Sequence, residues 1–368
     1  MTKLSYSAIT TYTTCGHKYK LRYKDNLRGK YFHAALAFGS AIDLALNELL
    51  ITKDLDKSYA AFDKAWAFQF VNKKYVSLSH FSDLVYAEAD FDEELLKEED
   101  LDSLNLEYIQ PIKEFKYILA LKKDKGWSNI AKEQKEFYNY VNWLSMRRKG
   151  HIMLSSYNKK ILPRIKEVLV VQKENYLDNG AGDKIVQYLD LIATWEDGRN
   201  ILFDNKTSAK DYEPDQASRS PQLISYYFGA KKEYNLKGVG FFVLKKQMIK
   251  NRVKVCEKCG YDGSGGRHKT CDQEAAGKRC NGAWKETISP ECYIQIIISD
   301  VAPAAQELVL STFDTANEGI KAGNFYKNLS ACRSGYGPCE YEKVCWKNDF
   351  SDVVDLSETK NSEDLFKK

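Results

Sequence analysis

Residues 185–208 read IVQYLDLIATWEDGRNILFDNKTS, and the way this stretch pairs with itself decides the fold around it. Two apolar runs flank Glu196-Asp197-Gly198, the pattern of antiparallel strands joined by a tight hairpin. Register matters here, because moving the pairing by one residue turns every side chain to the opposite face. A three-residue loop with Gly198 left-handed sets Trp195 opposite Arg199 and Asp190 opposite Asp204, so both carboxylates share a face. Lys206 joins them, since side chains on a strand repeat every second residue. Such a grouping suits metal-assisted phosphodiester cleavage. Hard cations such as Mg²⁺ take oxygen ligands and keep several waters, so one or two carboxylates plus a phosphate complete a site. A lysine beside them holds or polarises the attacking water and offsets charge on the phosphorane. Solvated charges at strand ends are the plainer reading of the same three residues.

Downstream, Ser220 and Pro221 supply an N-cap and a first helical residue, so a helix starts at Gln222 and carries Tyr226 one turn on, on the same face. An ordinary helix with a buried tyrosine is the alternative for Tyr226. Together, D-x₁₃-D-x-K at Asp190, Asp204 and Lys206 and Q-x₃-Y at Gln222 and Tyr226 resemble the PD-(D/E)XK nuclease superfamily, in its RecB-like and Cas4-like branch. The resemblance implies an α/β fold with a mixed central sheet flanked by helices. It also implies Mg²⁺ or Mn²⁺ held by Asp190, Asp204 and the carbonyl of Asn205, with Lys206 orienting the water and Gln222 and Tyr226 contacting DNA or supporting the site.

Residues 36–51 repeat apolar side chains at 42, 45, 46, 49 and 50, as an amphipathic helix does. The family's histidine-bearing helix lines up here, with Asp43 where the histidine is usual. Either Asp43 is a harder oxygen ligand or the site is weakened.

Of nine cysteines, eight fall into two groups with metal-like spacing, which fits a reducing compartment. Cys256-x₂-Cys259, Cys271 and Cys280 lie in a polar, glycine-rich segment too short to bury a core. Four thiolates there predict a closed, tetrahedral zinc ribbon whose metal supplies the folding energy, with His268 as a substitute ligand. Arg267, His268, Lys269, Lys278 and Arg279 make the module basic, as either a grip on DNA or a partner, or a structural clip. The second group is Cys332, Cys339 and Cys345. With Cys15 these resemble the four ligands of the [4Fe-4S] cluster in the iron-sulfur members of the branch, although six residues stand in the first gap where the family has two. Zinc, or no metal, are the alternatives there. Cys292 reads as a core residue of a strand.

Residues 18–24 alternate Lys and Arg with Tyr, which suits a single-stranded nucleic-acid path and equally a solvated helix with a tyrosine stripe. The net charge is only +4, with an acidic run from Glu88 to Asp102 and basic stretches at 18–30 and 231–254, so local patches are the relevant electrostatics. No apolar segment approaches the roughly 20 residues of a membrane helix, which predicts a soluble, intracellular protein.

The resulting organisation is N-terminal helices with the first cluster cysteine (1–51), a helical insertion (52–166) and a nuclease core (167–250). A zinc-ribbon insertion (251–284), a strand, helix and cysteine clasp (285–349) and a polar tail (350–368) follow. The function expected is an exonuclease acting on single-stranded DNA ends, in a cell or a phage, with a helicase or recombination protein as partner. A catalytically idle DNA-binding scaffold and a structure-specific endonuclease are the alternatives.

Overall fold

The structure, a computed structural model, describes residues 3–29, 32–71, 84–85, 132–180, 182–261, 270–275, 278–334 and 337–355. Its centre is a curled mixed sheet built from β1 (Lys3–Ser5), β2 (Ile165–Asp178), β3 (Lys184–Trp195), β4 (Asn200–Ser208), β5 (Gly238–Cys256) and β6 (Trp284–Ser299). The order is β1-β3-β4-β5-β6, with β2 antiparallel to β3 along the other edge of β3. The acidic run near 88–102 and most of the expected helical insertion lie outside the described residues, as do His268 and residues beyond 355.

The β3–β4 hairpin has the three-residue loop. Gly198 is left-handed at φ +87°, its N–H donates to Trp195 O at 2.9 Å, and the Trp195 N–H donates to Arg199 O at 2.8 Å. Pairing runs from Thr194 opposite Asn200 to Leu191 opposite Phe203 and then stops. On the same edge β1 takes up residues 184–186 in parallel. Residues 187–190 of β3 therefore have no ladder partner on that side among the described residues, and the sheet forks there. Beyond the fork β4 stays paired, in parallel, with β5, where Lys206 registers with Val243.

Helices cover both faces. On one, α2 (Ala34–Thr52), α3 (Leu55–Val71) and α4 (Lys132–Lys160) bring Phe38, Leu46, Phe62, Trp66 and Tyr157 against Phe203 and Phe242, whose rings stack at 4.2 Å. On the other, α5 (Pro221–Tyr234) is the crossover that a parallel pair requires, and Leu223, Tyr226 and Tyr227 pack on Leu202, Phe241 and Val243. Against the expectation that no apolar segment approaches a membrane helix, α2 is by length and apolarity the one described helix that could cross a membrane. Its Ala37, Ala41, Ala45, Leu46 and Leu49 are fully buried in the core, which accounts for that composition without a bilayer.

β5 runs past the expected end of the nuclease core at residue 250, to Cys256. With β6 it forms a two-stranded arm that leaves the core after Met248 and Cys292, the latter fully buried, and reaches Cys256 opposite Trp284 at its tip.

At the opposite corner α1 (Tyr6–Thr14), capped by Ser5 accepting from the Ala8 N–H, packs on α6 (Ala305–Lys321). Residues 15–29 and 325–355 are then stitched together. His17 N–H donates to Tyr326 O at 2.8 Å, Tyr341 Oη donates to Leu27 O at 2.8 Å, and Leu27–Gly29 pairs with Val353–Asp355. Tyr12 and Tyr19 are buried here, with Tyr19 stacked on Phe325, while Lys18 and Arg22 pair with Glu340. For Tyr19 the aromatic stripe is thus packing and not a platform for bases, because α6 and the segment after it leave no room above the ring.

Candidate active site

The fork places Asp190 and Asp204 where β3 and β4 part. On β4, Ile201 and Phe203 face α2–α4, so Leu202, Asp204 and Lys206 face α5. Asp204 is 2% exposed, and the Lys206 Nζ lies 2.6 Å from its Oδ2. Burial opposes the charge on Lys206, but the carboxylates of Asp204 and Asp190 outweigh it and raise the pKa of the ammonium. Asp190 is pushed up to about 8 by burial and then by the Asp204 and Asp43 carboxylates. Three acids closing on one buried point repel one another. A divalent cation would remove that repulsion, which is how the donor set fits a hard metal ion. The side-chain amide of Asn205 is buried with neither end hydrogen-bonded among the described residues.

Asp43, in the middle of α2, meets this group through a residue the sequence reading missed. Val171 opposes Leu191 and Lys173 opposes Leu189, so Gln172 sits across from Asp190 in the ladder. Its Nε2 donates to Asp190 Oδ1 at 3.1 Å and to Asp43 Oδ2 at 3.3 Å. Gln172 holds φ at +48° within a strand, a conformation that costs a non-glycine residue free energy and clusters at functional sites. No local signal announces it. A glutamine inside VVQKE carries neither turn chemistry nor periodicity.

Across the fork, α5 begins as its sequence dictates, with Ser220 Oγ accepting from the Leu223 N–H at 3.3 Å and Pro221 at the first turn. Gln222 Nε2 lies 3.4 Å from Tyr226 Oη, and Tyr226 is buried. Burial raises the Tyr226 pKa to about 12, Gln222 opposes this and Asp190 adds to it, so the phenol stays neutral beside the acids. The structure thus gathers Asp43, Asp190, Asp204, Lys206, Gln222 and Tyr226 at the fork and adds Gln172.

The two cysteine groups differ in geometry. Cys256, Cys259, Cys271 and Cys280 have sulfur atoms all within 4.8 Å of one another, with Cys256–Cys280 at 3.6 Å and Cys259–Cys271 at 3.5 Å. A tetrahedron of thiolates about 2.3 Å from one ion has edges of about 3.8 Å. Backbone shapes the knuckle: Gly260 is left-handed at φ +72°, Lys258 N–H donates to Cys256 Sγ at 3.4 Å, and a Cβ at Gly282 would come within 2.4 Å of that sulfur. Four thiols so close do not ionise alike. Burial disfavours the Cys256 thiolate, yet the N–H groups of Cys259 and Lys258 bring its pKa down to about 6, while burial and the neighbouring thiols push Cys271 up to about 12.

Cys15, Cys332, Cys339 and Cys345 meet at the terminal corner, where Cys339 N–H donates to Cys332 O at 2.8 Å and Asn328 N–H to Cys15 Sγ at 3.5 Å. The Cys345 pKa is raised by burial and by its proximity to Cys339, Cys15 and Cys332. These four are not drawn as tightly as the arm cysteines. A four-iron cluster would hold its thiolates farther apart than a single ion does.

A forked mixed sheet with clustered carboxylates and a lysine is an arrangement that suits metal-assisted phosphodiester cleavage. A family model for the PD-(D/E)XK nuclease superfamily matches residues 3–346, and the chain belongs to that superfamily. Its members are mostly metal-dependent nucleases that act on DNA. No curated protein matches the chain.

Proposed function

We propose that this chain is a metal-dependent deoxyribonuclease of the RecB-like branch, acting on single-stranded DNA from a free end. The observation that carries the reading is the meeting of Asp190, Asp204 and Lys206 at the fork, with Asp43 joined to them through Gln172. Asp43, Asp190 and Asp204, with the carbonyl of Asn205, hold Mg²⁺ or Mn²⁺, which supplies Lewis acidity at the scissile phosphate. Lys206 orients the water for in-line attack and offsets charge gathering on the phosphorus oxygens. Gln222 and Tyr226 line the α5 side, where they hold the strand against the acids. Aspartate in place of the family's histidine keeps an oxygen donor at that position, and the hydrogen bond from Gln172 keeps it aimed inward.

The arm cysteines hold zinc, since their sulfur spacing matches one tetrahedral ion, and the clasp cysteines hold an iron-sulfur cluster. Action from ends, a helicase or recombination partner and an intracellular setting follow from the branch resemblance. The test uses anaerobically purified protein, linear single-stranded DNA labelled at either end and covalently closed circles, with Mg²⁺ or Mn²⁺, beside Lys206→Ala. Cleavage of the linear DNA that vanishes with chelator and in the variant, with circles intact, supports the reading. Cleaved circles replace it with an endonuclease. DNA bound but never cleaved leaves an idle scaffold. Iron and zinc content of the same sample decides the two cysteine sites.

A further inference from the structure

Residues 249–291, the β5–β6 arm with its cysteine tip, hold nine basic and six acidic residues, a net of +3, so the rest of the chain sums to +1. Lys250, Arg252 and Lys254 alternate along β5 and therefore share one side of the ribbon, each exposed. In the ladder Lys250, Arg252 and Lys254 stand opposite Pro290, Ile288 and Glu286. At the tip Lys258, Lys278 and Arg279 are exposed as well.

The arm begins next to the chemistry. Lys206 registers with Val243 on β5, and Lys250 lies seven residues farther along the same strand, about 23 Å at about 3.3 Å per residue. At about 3.4 Å per nucleotide a strand needs roughly seven nucleotides to cover that distance, and about thirteen to reach Cys256. A polyanion held at the fork and longer than this meets the exposed row of Lys250, Arg252 and Lys254.

We infer that the arm is a clamp for the phosphate backbone of the DNA bound at the fork, with the cysteine tip as the rigid end of the clamp. This rests on the nuclease reading for its substrate and adds how that substrate is held. Sequence-independent phosphate contacts give a fixed experimental signature, a salt-dependent affinity whose slope counts the contacts, at about 0.7 per phosphate for single strands.

The experiment measures anisotropy of labelled single-stranded oligonucleotides of 6 and 30 nucleotides, without added Mg²⁺ and without chelator, at 50 and 200 mM salt. It compares the wild type with Lys250→Glu/Arg252→Glu, and zinc content and melting temperature serve as controls. The expected result is at least a tenfold loss of 30-mer affinity in the variant and a salt slope smaller by about 1.4, with affinity for the 6-mer unchanged. A variant that keeps its zinc and binds the 30-mer like wild type overturns the clamp. If the reversals disturb the tip, Lys250→Gln/Arg252→Gln must show a smaller loss in the same direction, and no loss is again a refutation. Wild type that binds the 30-mer but never cleaves it with Mg²⁺ overturns the nuclease reading and leaves the clamp standing. Wild type without affinity for DNA overturns both.

Discussion

The fork and the arm tip face the same physical problem and solve it differently. Each packs groups that repel one another once ionised, three carboxylates at the fork and four thiols at the tip. At the fork the protein supplies a cation of its own, Lys206 at 2.6 Å from Asp204, together with a neutral donor, Gln172, that binds two of the acids. Around that group stand a six-stranded sheet and helices on both faces. At the tip no lysine among the described residues is interposed between the sulfurs, and beyond the ends of β5 and β6 the strands are two residues long. The fork thus has protein groups that hold its shape without metal, whereas on the proposed zinc reading the tip takes its shape from the ion.

The sharpest way to break this contrast is to remove groups from each site. Lys206→Ala and Asp204→Asn should each lower cleavage by on the order of 10³-fold or more, with melting temperature and zinc content close to wild type. Loss of zinc or of fold in either variant would mean that the two regions are not independent. Cys271→Ser should do the reverse. We expect it to abolish stoichiometric zinc and open residues 256–284 to proteolysis while cleavage of a 6-mer stays within about threefold of wild type, because additivity holds between distant sites.

A smaller effect probes the neutral donor. Gln172→Leu removes the hydrogen bonds to Asp43 and Asp190, and loss of such a supporting contact typically costs about 10–100-fold in metal affinity or activity. Titrating Mg²⁺ against activity reads this directly, and an unchanged Mg²⁺ requirement would reduce Gln172 to a packing residue.

The next prediction concerns pH. Asp190 has a folded-state pKa raised to about 8, so between about pH 4 and that value the folded protein retains a proton the unfolded chain has lost. Stability without metal should therefore fall as pH rises through this window, with the loss complete above it. A divalent cation competes with that proton, so the increase in melting temperature on adding Mg²⁺ should be larger at pH 8 than at pH 6. Asp190→Asn should flatten the pH profile of the metal-free protein, and a slope that persists in the variant would assign it to another group. The smallest change expected is in Ser220→Ala, where loss of the α5 cap should cost about 1 kcal/mol in denaturant melts.

Legibility in the sequence followed how local the determining physics was. The hairpin register could be read because one glycine at φ +87° and a three-residue loop settle it. The start of α5 was legible from Ser220-Pro221 and the knuckle from Cys256-x₂-Cys259, each decided within a few residues. Gln172 was not, because its role depends on standing opposite a residue eighteen positions away and on a backbone conformation that glutamine does not advertise. Nor was the fork, which exists because β1, from the beginning of the described chain, takes part of the edge that β4 leaves. The stripe at residues 18–24 read as either a solvated helix or a nucleic-acid path, and Phe325 and Glu340 against it make it packing instead. The same sequence reading ended the core at residue 250 and placed a separate insertion after it, since an arm without a core beneath it has no apolar pattern to show.

The stitched corner also sets an order of assembly. Arg22 and Glu340 are 318 residues apart, so their contact waits until almost the entire described chain has left the ribosome. At about 5–20 residues per second that delay is roughly 15 to 60 s. Through that interval Tyr12 and Tyr19 lack the α6 and Phe325 surfaces that later bury them. The nascent N-terminal segment is thus the part of the molecule longest exposed to chaperones and proteases, and the last to become native.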